Sequence, residues 1–198
     1  MKEVLVVFIW GCMALSAYSQ TPTGVIRVGV EKNTIKDFSK SFGYYAGYEM
    51  SFPLPTESKL FEPYISAAIA LKTSGTKDEY SETFIGTLDI PINCGYKIPL
   101  IAGFQLAVHA GFFVDIDLYG VYINSPFGRE NIYQRWGDAS GWYFNKDDYR
   151  QFLCGFSVGG GIWYKQFNID INWQRDLTRH WKSRELKSNV FITLGYAI

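Results

Sequence analysis

The sequence has few of the residues on which metal centres depend. Cysteine, methionine and histidine number three, three and two among its 198 residues. The two isolated histidines, His109 and His180, form no metal-binding signature. Lysine plus arginine and aspartate plus glutamate number 19 each, so the formal net charge is zero. That balance gives no overall positive field that would attract nucleic acid.

Long apolar runs are absent beyond the N-terminus. Residues 1–19 contain one lysine, an apolar central stretch and small residues before Ser19. We interpret them as a secretory signal peptide that is cleaved after Ser19, with lipoprotein-type processing at Cys12 as the weaker alternative. Every later apolar stretch is soon interrupted by polar residues or glycine, so no further segment is predicted to span a membrane as a helix. Residues 20–198 contain no linker and are predicted to form one domain.

Aromatic residues and glycines are abundant, and they follow a two-residue period. Aromatic residues make up 18% of the chain, which also contains 19 glycines. The octet FNIDINWQ, residues 167–174, alternates large apolar with polar side chains, as a β-strand with two different faces does. Seven other segments alternate in the same way, at about residues 26–31, 42–52, 61–72, 87–98, 104–117, 152–164 and 190–198.

The connections between these eight segments alternate in length. Long connections are predicted at 32–41, 73–82, 118–150 and 175–188, and short ones near 54–58, 99–103 and 165–166. This pattern is typical of an up-and-down barrel with short periplasmic turns and long outer loops. Pro91 cannot donate a hydrogen bond to a ladder, and a closed barrel has no edge strand to accommodate it. We therefore predict a β-bulge at residues 90–92.

The composition of the two faces indicates which one points outward. The polar face carries nine glycines, which a water-facing strand does not need but the narrow interior of a small barrel does. The other face is apolar over about nine to eleven positions, with aromatic residues near the strand ends, as in a lipid-facing surface. The sequence thus predicts an all-β, eight-stranded antiparallel up-and-down transmembrane β-barrel. The alternative is that these aromatic residues fill the core of a soluble sandwich.

Charged residues also follow the alternation. The charged residues at positions predicted to face inward are Arg27, Glu31, Glu49, Glu62, Lys72, Asp89, Lys97, Asp115, Asp117 and Asp170. Because buried charges must pair or be neutralised, we predict an internal network of ion pairs in which Arg27 binds Glu49 or Asp170. Cys94 and Cys154 fall on non-neighbouring strands and are predicted to be free, buried thiols.

Three stretches carry a resemblance to a known family. They are LDIPINCGYKIP at 88–99, FSVGGGIWYKQFNIDINWQRDL at 156–177 and SNVFITLGYAI at 188–198. They resemble the PorT-like outer-membrane β-barrel proteins of Gram-negative bacteria and, more distantly, the OmpX and OmpA barrels. The resemblance implies a location in the outer membrane, and a C-terminal strand that the barrel-assembly machinery reads. This chain departs from the usual aromatic last residue, because it ends on Ile198 with Tyr196 two positions earlier.

The sequence offers few groups for chemistry. His109 could act as a general base beside Asp115 or Asp117 in a lipid A-modifying enzyme, but no nucleophile motif accompanies it. The glycines at 159–161 precede no helix start and so do not form a nucleotide-binding loop. We therefore expect no enzyme, and no catalytic, cofactor-binding or metal-binding residues.

The loops are the remaining place for function. Residues 118–150 are rich in Tyr, Trp and Arg and could contact an extracellular partner, although a solvated loop is an equally good interpretation. A basic cluster of Arg175, Arg179, Lys182, Arg184 and Lys187 could bind lipopolysaccharide phosphates, or could simply be solvated. The expected protein is a monomeric barrel with an occluded lumen and a structural or surface-interaction role, in contact with outer-membrane lipids. A soluble periplasmic carrier of small ligands is the further alternative.

Overall fold

The computed structural model describes residues 22–34, 42–58, 60–77, 81–124, 128–131, 152–178 and 186–198. Within these ranges the chain forms nine strands. They are β1 (Thr23–Thr34), β2 (Phe42–Pro53), β3 (Glu62–Lys77), β4 (Ser81–Pro99), β5 (Phe104–Asn124), β6 (Gly128–Asn131), β7 (Phe152–Tyr164), β8 (Phe167–Asp176) and β9 (Ser188–Ala197). A single 3₁₀ turn, Ile101–Gly103, connects β4 to β5. No helix in these ranges is long and apolar enough to span a bilayer.

Eight of the strands close into an antiparallel barrel. The sheet order is β4-β3-β2-β1-β9-β8-β7-β5, and β4 also pairs with β5, so the sheet is a continuous ring. Each of these strands pairs with its neighbour in the chain, and β1 pairs with β9. The short β6 pairs with the end of β5, outside the ring. The predicted eight-stranded up-and-down barrel is confirmed, and the sandwich alternative is wrong because the strands form one closed sheet.

The two faces of the barrel have inverted polarity. In β8, Ile169 and Ile171 are 56% and 55% exposed, whereas Asn168 and Asp170 are 2% and 5% exposed. The same alternation of exposed apolar and buried polar residues runs through β9 and most of β2. A water-soluble sheet would place its apolar face against a core, so this arrangement suits lipid outside and a polar interior.

The outer apolar band has the height of a bilayer core. Along β5 it runs from Phe104 to Ile116, which corresponds to about 30 Å at a rise of about 3.3 Å per residue and a tilt of about 45°. At the short-turn end, Phe104 and Tyr164 stack with ring centroids 4.6 Å apart. Toward the other end, Phe156 and Trp173 form an edge-to-face pair at 5.4 Å. Aromatic residues therefore lie toward both rims of the band, where membrane interfaces favour them.

The two ends of the barrel differ in height. Lys165 and Gln166 alone connect β7 to β8, and Lys165 has a φ of 54°. At the opposite end β4 and β5 reach 19 and 21 residues, whereas β8 and β9 have ten each. The predicted loop 73–82 is therefore mostly strand, and so is the beginning of 118–150. One side of the barrel consequently rises above the other.

Pro91 does not produce the predicted bulge. Along β3 and β4 the register is the same before and after Pro91, with Ala67 opposite Ile92 and Ala70 opposite Asp89. Between these two pairs, residues 68–69 of β3 and 90–91 of β4 are not paired with each other. The sheet accommodates proline in this way because Pro91 has no N–H to donate. The register shift occurs instead between Gly86 and Thr87, where β4 faces β5.

Three other predictions about individual side chains need correction. Both Cys94 and Cys154 are free, as predicted, but neither is buried: Cys94 is exposed on the outer face and Cys154 is half-buried. Glu62 is exposed because it begins β3 at the rim, so it lies at the edge of the interior opposite Lys97 and not among the buried charges. The alternation of β2 predicts that Phe52 faces outward, but Phe52 is fully buried. The alternation ends there, because Ser51 and Phe52 are both buried beside the turn that follows.

A charge on the outer face should destabilise the barrel strongly. Replacing Ile171 by arginine is expected to lower the free energy of unfolding by about 2–4 kcal/mol, the cost of arginine near the bilayer midplane. Urea unfolding in lipid vesicles measures this change. The control is Ile101→Arg in the short turn, where isoleucine is 86% exposed; it should leave stability nearly unchanged. Equal stability of both variants would contradict a lipid-facing position for Ile171.

Candidate functional site: the polar interior of the barrel

Glycine lets side chains of neighbouring strands fill the narrow interior. Gly159 on β7 is paired with His109 on β5. A Cβ built on Gly159 would lie 2.5 Å from His109 Nε2. Gly47 on β2 faces Ala70 on β3, and a Cβ there would lie 2.5 Å from the Ala70 side chain. Both distances are too short for a Cβ, so the interior has no room for larger residues at these positions.

Arg27 is the centre of one polar cluster, the lower cluster, which consists of Arg27, Glu49 and Asn168 and lies nearer the short turns. Its Nε and Nη2 donate to the two carboxylate oxygens of Glu49, each at 3.1 Å, and its Nη1 donates to Asn168 Oδ1 at 2.6 Å. Arg27 and Glu49 are buried. Such a bidentate pair fixes both side chains and adds geometric specificity to the charge attraction. The predicted pairing of Arg27 is therefore confirmed for Glu49.

His109 and Asp170 meet across the interior from strands that are not adjacent. Asp170 Oδ1 lies 3.8 Å from His109 Nε2, which is longer than a hydrogen bond. The Tyr64 hydroxyl lies 3.5 Å from His109 Nδ1. The sequence had suggested Asp115 or Asp117 as the carboxylate beside His109. Asp115 instead binds Lys72, and Asp117 accepts a hydrogen bond from Thr87 Oγ1 at 2.7 Å.

A small polar cavity lies beside this pair. Its volume is about 30 Å³, which is enough for one or two water molecules. The lining side chains are those of Arg27, Tyr45, Glu49, Pro91, Asn93, His109, Asp170, Asn172, Gln174, Phe191 and Thr193. Side chains of six different strands, with charged or amide groups from five of them, therefore reach one small space near the middle of the barrel.

Lys72 is the centre of a second polar cluster, the upper cluster, which consists of Lys72, Asp89, Asp115 and Gln174 and lies farther from the short turns. Its side chain has no exposed surface. Its Nζ lies 2.6 Å from Asp115 Oδ2 and 3.4 Å from Asp89 Oδ1, and it donates to Gln174 Oε1 at 3.1 Å. The ammonium also lies 5.1 Å from the ring centroid of Phe113. One cation thus holds two carboxylates in a space that water does not reach.

Lys187 belongs to the interior and not to a solvated basic cluster. It is 5% exposed, and its Nζ lies 3.8 Å from Glu31 Oε1. The predicted lipopolysaccharide contact therefore loses one of its five members. Arg175 is exposed on β8, whereas Arg179, His180, Lys182 and Arg184 lie outside the described residues. So do residues 1–19 and most of 118–150.

An apolar cluster and cation–π contacts lie toward the short-turn end of the interior. Val25, Ala107 and Trp163 form one buried cluster. Lys97 Nζ lies 4.6 Å from the Trp163 ring centroid and 5.4 Å from that of Tyr64. Sequence reasoning did not assign Trp163 to the interior. Its signal was its place in the alternation, directly after the outward-facing Ile162.

In the ranges that the structure describes, no group of three or more His, Cys, Asp or Glu side chains is arranged to hold a metal ion. His109 is the one sequence candidate for catalysis, and its side chain is 7% exposed. It faces the interior, so the barrel wall separates it from the lipid-facing surface.

Comparison with solved structures identifies the fold. No protein-family model matches the sequence, and no curated protein matches it. Neisserial surface protein A (NspA) superposes with a TM-score of 0.59 at 8% identity, over 91% of this chain and 97% of that one. Ail of Yersinia pestis gives 0.45 at 8% identity over 89% and 97%, and OprG of Pseudomonas aeruginosa gives 0.42 at 11% identity over 91% and 97%. With the closed ring of eight strands, the similarity to NspA shows that this chain has the fold of the small outer-membrane β-barrels.

Proposed function

We infer that the protein is an integral barrel of the outer membrane, with a structural or surface-interaction role and an interior that blocks the passage of solutes. The inverted polarity of the wall carries this proposal. A band of exposed apolar side chains about 30 Å high encloses buried ion pairs. Only lipid makes such an exterior favourable, because in water that apolar surface would drive aggregation.

The filled interior supports the interpretation of a closed barrel and argues against an open pore. Two ion-pair clusters, an apolar cluster and cation–π contacts lie along its length, and the described cavity measures only about 30 Å³. A site for a drug-sized ligand needs about 300–1,000 Å³. The same packing argues against a carrier of small ligands in the periplasm.

The finer family and partner assignments are proposals as well. The PorT-like motifs at 88–99, 156–177 and 188–198 correspond to β4, to the β7–β8 hairpin and to β9, which supports reading them as features of one barrel family. We propose that β9 presents the signal for the barrel-assembly machinery. The basic contact with lipopolysaccharide would now consist of Arg175, Arg179, Lys182 and Arg184. A partner for residues 118–150 is expected on the side of the barrel where β4 and β5 extend beyond the other strands.

Electrophoresis of membrane fractions tests the proposal. The protein should fractionate with the outer membrane, and it should migrate faster without boiling than after boiling, because an intact barrel is more compact than the unfolded chain. Recovery in the soluble periplasmic fraction would favour the carrier alternative. A changed lipid A mass that depends on His109, lost in His109→Ala, would favour the enzyme alternative.

A further inference from the structure

The central cavity combines a buried carboxylate with oxygen atoms that lack hydrogen-bond partners. Thr193 is 3% exposed, and its Oγ1 has no partner within the described residues. The same is true of the buried Asn172 Oδ1. Both residues line the cavity together with Asp170. Because buried polar atoms are normally satisfied, two such atoms on one enclosed space point to a ligand that the protein itself does not supply.

The strand register brings these oxygen atoms together. Asp170 on β8 is directly opposite Thr193 on β9. Side chains in such cross-strand pairs have Cβ atoms only about 5 Å apart. Asn172 follows Asp170 by two positions on the same face of β8. A carboxylate, a carboxamide and a hydroxyl of neighbouring strand positions therefore share one part of the cavity wall.

When His109 is neutral and Asp170 is ionised, the charged groups around the cavity leave an excess of one negative charge. Arg27 and Glu49 neutralise each other through their bidentate pair. The Asp170 carboxylate lies 3.8 Å from His109 Nε2, which carries a positive charge only when the imidazole is protonated. With neutral His109 the carboxylate of Asp170 is buried without a counter-charge. Such a state is costly unless a cation binds or the carboxylate takes up a proton.

We propose that the cavity binds one monovalent cation of about the size of sodium, held by the oxygen atoms of Asp170, Asn172 and Thr193. Carboxylate, carbonyl and hydroxyl oxygens are the donors that hard cations prefer. A single positive charge neutralises the site, whereas a divalent ion would face the Arg27 guanidinium with charge to spare. The volume of about 30 Å³ limits the occupant to the ion and about one water molecule.

Thermal unfolding of the intact barrel in detergent tests the site. At about pH 9, where a histidine is ordinarily neutral, the midpoint should be a few degrees higher in sodium chloride than in choline chloride of the same concentration. It should rise further with sodium concentration, as expected for a ligand that binds only the folded state. Asp170→Asn should abolish the difference between the two salts. The control Glu62→Gln removes one exposed carboxylate and should retain it.

Several outcomes would overturn the proposal. Equal midpoints of the wild type in the two salts would do so, and so would a sodium effect of the same size in Asp170→Asn. A sodium effect that appears only in His109→Gln would identify protonated His109 as the natural counter-charge. If Asp170→Asn does not fold, wild-type crystals grown with thallium(I) decide. An anomalous peak beside Asp170 and Thr193 supports the site, and its absence refutes it.

Discussion

Replacing Lys72 by methionine is expected to lower the free energy of unfolding by about 3–5 kcal/mol, the range observed when one partner of a buried ion pair is removed. Lys72 is fully buried, and its ammonium lies 2.6 Å from Asp115 and 3.4 Å from Asp89. Methionine retains the apolar contacts of the stem but leaves two carboxylates without their cation. Urea unfolding in lipid vesicles, followed by tryptophan fluorescence, measures the loss.

Two further variants isolate the cause. Leu71→Met changes the adjacent residue, which is 57% exposed on the outer face, and should alter stability by less than about 0.5 kcal/mol. Combining Lys72→Met with Asp89→Asn and Asp115→Asn removes the unpaired charges and should recover part of the loss. A Lys72→Met barrel as stable as the wild type would show that the upper cluster does not contribute to stability as a buried ion pair.

Replacing Arg27 by methionine is expected to have an effect of similar size, about 3–5 kcal/mol. The substitution removes two bonds of 3.1 Å to Glu49 and one of 2.6 Å to Asn168. The temperature at which the folded electrophoretic form disappears should fall accordingly. Arg27→Lys retains the charge but cannot make the bidentate bond, so its loss should be smaller.

A double-mutant cycle with Glu49→Gln completes the test of Arg27. Because the two side chains act as one unit, the double variant should be more stable than the sum of the two single losses predicts. Strict additivity, or unchanged heat resistance of Arg27→Met, would contradict a stabilising pair.

The orientation of almost every strand residue could be predicted from the sequence, because alternation is a local property and a shift by one residue would reverse both faces. This reasoning placed Ile169 outside and Asp170 inside, and both positions are confirmed. The alternation alone could not give the partner of Asp170. His109 is on β5, and β7 lies between β5 and β8, so their approach depends on the curvature of the ring and on the small volume of Gly159.

The errors concern places where a neighbouring strand or a rim decides the structure. Residues 73–77 are polar, so the local pattern predicts a loop, yet they pair with β4 because that strand continues opposite them. Because the sequence around Lys187 is basic, it predicts a cluster that binds lipopolysaccharide or is solvated, and the ion pair of Lys187 with Glu31 cannot be read from local sequence. Pro91 predicts a bulge, but the sheet tolerates this proline by leaving out pairings between β3 and β4.

The pairing between β1 and β9 determines when the sheet can close into a barrel. Val25 pairs with Ala197, so the contact that closes the ring joins residues 172 positions apart (197 minus 25). Loop closure over such a distance is slow, and it cannot begin before the last strand has been synthesised and exported. Until then the outer ends of the sheet present unpaired backbone groups that are costly in lipid. Insertion is therefore expected to be a late, all-or-none event, and the unfinished chain must be kept from aggregating throughout the wait.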